Sequence, residues 1–374
     1  MTQYFILLVL LIMTSCKGPS KTAENNISFA EKAELSDAQI AEYVVEVFED
    51  SRGHLWFGTM SKGVARYDGK NLKYFSEQDG LTAQTVSSII EDKGGTMYFG
   101  CHTGLFSYDP TAEKKGLKPF AQRIETSGRH DEGTGWIGVS IDQSQNIWIS
   151  NNDGLYNYKN KQLVEYKLPI DRDSIKEYSI TAGRARFQME DSKGNLWFST
   201  DGYGALKFDG EKFSRLTKAD GLWSNSVNSI LEDQEGMIWF ACMQAYQPST
   251  TNDGGVCRYN PSSTDLASAF QKFPKVEGLS NKDIYTLFMD NSGDIWIGAT
   301  GTGAYIYDRE KFTLYSGSDR EDLTKYYGLQ DILHDSKGNI WFGMSGGLFL
   351  FDPNIKTNRG SFLKHITQEG LLKF

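Results

Sequence analysis

The chain has 374 residues, a formal net charge of −9 and no Lys- or Arg-rich run, so a nucleic-acid role would lack its electrostatic footprint. Aromatics make up 13% of it and only 8 residues are Pro, which suits a β-rich globular protein and not a disordered one. The length admits two average domains or one large all-β domain.

The N-terminus stands apart. Phe5 to Met13 is an unbroken apolar run, short of the roughly 20 residues a spanning helix needs but long enough for a signal-peptide core. Thr14-Ser15-Cys16 follows, small residues before a Cys, which resembles the bacterial lipobox in which the Cys is lipidated. The expected organisation is a lipoprotein signal peptide over 1–16 with Cys16 as lipidation site, a polar tether over 17–26, and a folded region over 27–374. That places the protein in the bacterial cell envelope, periplasmic or outer-membrane associated, held to the membrane by lipid alone.

One phrase is then written seven times: an acid, a tight turn, an aromatic, and small residues. It begins with Asp50-Ser-Arg-Gly-His-Leu-Trp56-Phe-Gly58 and ends with Asp335-Ser-Lys-Gly-Asn-Ile-Trp341-Phe-Gly343. Asp92 to Tyr98, Asp142 to Trp148, Asp191 to Trp197, Asp233 to Trp239 and Asp290 to Trp296 lie between. Each unit reads as four short strands, A to D. In the first, strand A is Val44–Glu49, the Asp turn follows, B is Leu55–Thr59, C is Gly63–Tyr67 and D is Leu72–Phe75. The units average about 48 residues, within the range of propeller blades. A four-stranded unit cannot bury both faces alone, whereas seven stacked radially do, and closure protects the edges. The predicted fold is an all-β, seven-bladed β-propeller of four-stranded antiparallel blades.

The turn chemistry makes the phrase structural. Asp at the first turn position accepts a hydrogen bond from backbone two residues on, and Gly at the fourth suits a type I turn. The third unit reads Asp142-Gln-Ser-Gln145, which a type I turn also tolerates. The aromatic on strand B is expected to fill the wedge between blades. Either Ser361–Ile366 or Ile27–Lys32 serves as the strand that closes the ring.

The pattern Glu-Asp-x-x-Gly-x-[Leu/Ile]-Trp-Phe-Gly-Thr, followed by Tyr-Asp, Phe and Asp-Gly-Leu, resembles the two-component regulator propeller repeat over nearly all of the mature chain. The resemblance implies an extracytoplasmic sensor region, of the kind that hybrid two-component systems use to detect glycans. Family sensors usually continue into a further β-domain, a transmembrane helix and a kinase. The expectation here is a stand-alone recognition lipoprotein without its own kinase.

Strand alternation puts the A–B turns on one face and the B–C and D–A loops on the other. The irregular segments Pro110–Gly135, Tyr166–Gly183, Ala219–Ser226 and Met243–Gly255 fall on that second face, where binding is expected. Residues at the strand-A starts should line the channel rim: Tyr43, Trp136, Arg184, Arg186, Asn225, Asn228, Tyr285, Gln330 and Asp331, with Trp223 just outside. Aromatics, Arg and Asn suit a carbohydrate or small-molecule ligand. Arg184 and Arg186 are two apart, so in a strand they share a face and can grip a carboxylate or sulfate. Trp136 aligns with Val86 and Val227, which favours a core position for it.

Support for catalysis is thin, and no cofactor is expected. His54 and His334 sit by the Asp turns and His365 in the last strand. His102 and His130 could share the functional face, as a His pair does in propeller lyases such as streptogramin lyase. Glu132, Asp283 and Asp331 near the rim leave a carboxylate-pair hydrolase open. Cys101 and Cys242 sit beside the small residue of strand B and are expected to be buried, and Cys242 and Cys257 flank one hairpin loop, which leaves a disulfide open. No Cys/His cluster has zinc spacing. Besides ligand recognition, the alternatives are a scaffold for an envelope partner protein and an enzyme, a lyase or hydrolase.

Overall fold

Each Asp turn is held by one carboxylate. Asp50 Oδ1 accepts from the backbone N–H groups of Arg52 (3.0 Å) and His54 (2.9 Å), and its Oδ2 accepts from the Trp56 indole at 3.0 Å. The same three-point grip recurs at Asp191, Asp233, Asp290 and Asp335, with indole distances of 2.7–2.8 Å. At Asp92 the Tyr98 hydroxyl replaces the indole, and Asp142 holds Asn146 N and the Trp148 indole. The fourth turn residue is left-handed throughout, from Gly53 at φ 76° to Gly338 at φ 86°. Gln145 takes the same conformation at φ 66°, so the third turn tolerates a residue that pays a steric cost there. Its side chain compensates by accepting from Lys93 N of the preceding blade's turn at 3.0 Å.

The computed structural model describes residues 38–112, 117–119, 137–152, 154–159, 162–273, 283–300, 303–315, 328–352 and 363–374. They form seven four-stranded antiparallel sheets, each pairing its strands in chain order. Blade 1 comprises Val44–Glu49, Leu55–Thr59, Val64–Tyr67 and Leu72–Phe75 as strands A to D. Strands A of blades 2 to 7 are Val86–Glu91, Gly138–Ile141, Ala185–Glu190, Val227–Glu232, Ile284–Met289 and Leu329–His334. Consecutive A strands are neighbours, and those of blades 1 and 7 meet, so the ring is closed. The fold is a seven-bladed β-propeller.

The core lies between blades. Seven buried clusters each join one blade's strand-B aromatic to the next blade. Trp56, for example, stacks on Phe75 with ring centroids 5.4 Å apart and leans on Phe99 and Tyr108 of blade 2 at 5.3 and 5.8 Å. The small residue that follows the aromatic pair lets the next inner strand approach. A Cβ at Gly100 would stand 2.1 Å from the Ile137 carbonyl oxygen, and one at Gly58 would stand 2.7 Å from that of Val86.

Polar ties run around the ring on the Asp-turn face. Glu91 accepts from Ser51 N and Oγ, and Glu232 does the same for Ser192. Glu49 of blade 1 accepts from Ser336 N and Oγ of blade 7, both at 2.6 Å. The last strand D is Leu363–His365, paired to strand C of blade 7; Ile27–Lys32 lies outside the described residues. Gln39 bridges Thr367, and Gln368 N donates to Ala38 O at 2.9 Å. The short helix Gln368–Leu372 buries Leu371 against Ile40, so the two ends of the described chain latch together.

Burial alone would raise the Asp191 carboxyl, but hydrogen bonds from the Trp197 indole, Asn195 and Lys193 outweigh it and hold the group below its usual range. A depressed carboxylate contributes stability above its unfolded pKa, about 3.9, and loses it as pH falls through the lower folded value. Asp191→Ala should therefore cost about 2–4 kcal/mol at pH 7 in denaturant unfolding, with the gap from wild type narrowing below pH 3. A gap of equal size at pH 7 and pH 2 would contradict the charged grip.

Candidate functional site

The face opposite the Asp turns is built where the repeat is interrupted. The connection from blade 3 to blade 4, residues 166–184, pairs with the insert between strands B and C of blade 5, residues 243–254. Tyr178 N donates to Gln247 O at 3.1 Å, and the N–H groups of Tyr246 and Gln247 donate back to Tyr178 O. Asp201 anchors the same connection. It is buried and accepts from Ser179 N, Ile180 N, Thr181 N and Ser226 Oγ at 2.6–2.8 Å. Tyr246 donates its hydroxyl to Asp283, which also accepts from Gln244 N at 2.8 Å. Tyr246 is 40% exposed and Ile180 is 55% exposed, so this mouth presents an aromatic and an aliphatic residue to solvent.

The inner strands carry a second pattern. Strand A of every blade but the third contains a β-bulge, which re-aims side chains locally. Side chains near the bulges fasten neighbouring inner strands. Asp331 Oδ2 accepts from Val47 N at 2.8 Å, Glu46 Oε1 from Ile89 N at 3.4 Å, Ser88 Oγ from Val139 N at 2.9 Å and Gln188 Oε1 from Ile230 N at 3.3 Å. Glu46 and Asp331 are therefore adjacent carboxyls on blades 1 and 7. Burial raises both; Asp331 reaches about 6, and repulsion from Asp331 adds to the rise at Glu46.

Blade 4 brings cations to the same channel. Arg184 and Arg186 flank buried Ala185, and both are partly exposed. The Arg184 charge, with burial, brings Arg186 down to about 9, while Glu46 and Asp201 act in the opposite direction. Burial lowers Arg184 as well, with Asp201 opposing. Among the described residues neither guanidinium has a hydrogen-bond or ion-pair partner.

The other expected rim residues have mixed placements. Tyr43 is partly buried just before strand A of blade 1, and burial, with Tyr285, pushes its hydroxyl up to about 12. Asn228, Tyr285 and Gln330 are the bulge residues of blades 5, 6 and 7. Asn228 donates its side-chain amide to Tyr285 O. Asn225 is engaged in a loop, accepting at Oδ1 from Lys218 N at 2.8 Å. Trp223 packs on the body of blade 5: its indole donates to Val256 O at 2.9 Å, and Lys272 lies over its ring. Trp136, Cys16, His130 and Glu132 lie outside the described residues. His102 Nδ1 faces Thr85 N at 3.3 Å, and His54 and His365 pack at the Asp50 turn and on Phe349. Among the described residues no group of three or more His, Cys, Asp or Glu is placed to hold a metal ion. Cys242 and Cys257 are buried free thiols, and a hydrogen bond from Cys257 lowers the Cys242 thiol.

The family pattern described as two component regulator propeller matches residues 221–244 and 278–301, the A–B regions of blades 5 and 6. The histidine kinase P4 of Formosa agariphila is 24% identical over 316 residues, 81% of this chain and 21% of that protein. This chain thus spans about a fifth of the length of that relative. Among solved structures, the extracellular domain of BT3049 from B. thetaiotaomicron, designated a hybrid two component system, aligns with TM-score 0.63 and 23% identity over 86% of this chain and 40% of that one. Virginiamycin B lyase from Staphylococcus aureus aligns with TM-score 0.59 and 13% identity over 83% and 95%. At these identities the likenesses establish the propeller fold.

Two features of the mouth escaped sequence reasoning: Tyr246 and the Glu46 carboxyl beside Asp331. The length of the blade-5 insert signalled the first. The second follows from the bulge, which strand alternation does not anticipate.

A raised carboxyl inverts the usual linkage. Asp331 contributes stability below its unfolded pKa, about 3.9, and loses it as pH rises through about 6. Asp331→Asn keeps an acceptor for Val47 N without the charge. It should be more stable than wild type by about 1–3 kcal/mol at pH 7.5 and show no advantage at pH 4. Thermal unfolding at both pH values reads this directly, and an advantage that is independent of pH would contradict a buried charge.

Proposed function

We propose that this propeller is an extracytoplasmic recognition module whose ligand, a glycan, sits at the channel mouth opposite the Asp turns. The observation that carries the reading is the knit of the 166–184 connection to the blade-5 insert, which fixes the Tyr246 ring beside a channel lined by Arg, Asn, Gln and Tyr. A sugar ring offers C–H surfaces to an aromatic face and hydroxyls to directional polar groups, the combination that pockets of this kind recognise. Tyr246 is suited to the task because its hydroxyl is already committed to Asp283, which leaves a pre-oriented face at little entropic cost. The matches to two component regulator propellers and to an extracellular sensor domain support an envelope setting. In this reading Cys16 carries the lipid anchor, and binding is relayed to an envelope partner protein.

A panel of neutral and acidic oligosaccharides, screened by thermal shift and followed by calorimetry, tests the reading. At least one should bind, and Tyr246→Ala should weaken it by about tenfold, or 1.4 kcal/mol. Binding that is unchanged in Tyr246→Ala moves the site away from this mouth, and a panel without a single binder removes the glycan. Cys16→Ala should shift the protein from the membrane to the soluble fraction; an unanchored protein with Cys16 intact removes the lipid.

A further inference from the structure

We infer that Arg184 and Arg186 form an oxyanion site inside the channel, so that the ligand of this mouth carries a carboxylate or a sulfate ester. The inference deepens the recognition reading and rests on it for the identity of the ligand, but not for the existence of the site.

Four observations converge. The two guanidiniums lie two residues apart on the inner strand of blade 4 and point to the same side, since Ala185 between them is buried in the blade. They feel each other strongly enough that the proton affinity of Arg186 falls. The acid within their reach on the same blade, Asp201, spends its carboxylate on three backbone N–H groups and the Ser226 hydroxyl. On blade 3 Gly138 faces Arg186, and a Cβ on it would lie 3.8 Å from Arg186 Nε.

Among the described residues, Glu46 is the carboxyl across the channel that attracts Arg186. Its own oxygen is turned to Ile89 N, and burial with the neighbouring Asp331 favours its neutral form. The guanidiniums thus keep free donors aimed into a partly desolvated channel. An oxyanion would answer that arrangement with charge-assisted, fork-shaped hydrogen bonds. Two like charges held together, offset only in part by Asp201 and Glu46 and paired with neither, destabilise the empty protein, a conflict of the kind that functional sites tolerate.

The test reads stability with and without a small anion. Wild type, Arg184→Gln, Arg186→Gln and the double variant are melted alone, in sodium sulfate, in sodium D-glucuronate, and in glucose as the neutral control. Each single variant should melt above the ligand-free wild type by about 1–3 °C, because the repulsion is gone. Sulfate or glucuronate should raise the wild-type midpoint more than that of the double variant, and glucose should not. Sulfate stabilises folded proteins in general, so the difference between the two proteins is the measure. A larger response to glucuronate points to a sugar acid, and a larger response to sulfate points to a sulfate ester. If the variants melt below wild type and all four proteins respond alike to both anions, the arginines are structural and the inference falls. In that event a neutral glycan that still needs Tyr246 would leave the recognition reading standing.

Discussion

The whole ring depends on a buried carboxylate that holds a turn and an indole at once. In six blades the Asp that caps the A–B turn also accepts from a Trp nitrogen on strand B, and that Trp is the plug between its own blade and the next. A buried indole N–H without an acceptor would cost about 1–3 kcal/mol. The Asp removes this cost and fixes the ring plane in the same step. Local turn geometry and long-range blade packing are therefore one interaction, repeated around the disc. Blade 2 shows how much latitude it has: a Tyr hydroxyl at 3.2 Å from Asp92 does the same work.

The grip leaves one face committed. The Asp turns, the Ser–Glu ties between blades and the left-handed turn residues consume their polar groups among themselves. The opposite face follows the repeat only in part, as in the matching Asp79 and Asp220 turns after blades 1 and 4. There the connections differ in length from blade to blade, and their backbone groups are satisfied by side chains peculiar to one place, such as Asp201 and Asp283. Variation concentrates where the repeated interaction is absent, which is also where a rigid scaffold can carry a site without loss of its core.

The fold was legible in the sequence because its determinants are local and repeated. Strand A of blade 1 was expected over Val44–Glu49 and strand B over Leu55–Thr59, and both are observed with those bounds. The wedge role of the aromatics followed from the same phrase. What was not legible depends on departures from regularity. Gln145 adopts a left-handed conformation that composition would assign to Gly. The bulges of strand A shift the facing of every later side chain by one position, so alternation alone could list Asn228, Tyr285 and Gln330 as rim residues but not assign them to bulges. Trp223 shows the opposite case: its aromatic character suggested the rim, and its indole serves the packing of blade 5.

The distribution of charge in the channel follows from these two levels of order. Polar side chains on inner strands are needed to fasten blade to blade, since each strand A is the edge of its sheet and its channel-side N–H groups require acceptors. Glu46, Ser88, Gln188 and Asp331 meet that need. Arg184 and Arg186 do not, because a guanidinium accepts nothing. Their presence on an inner strand has no account in the fastening of the ring, and their mutual repulsion works against it. Structure accounts for the acceptors in this channel and leaves the two guanidiniums, among the described residues, as donors without a partner.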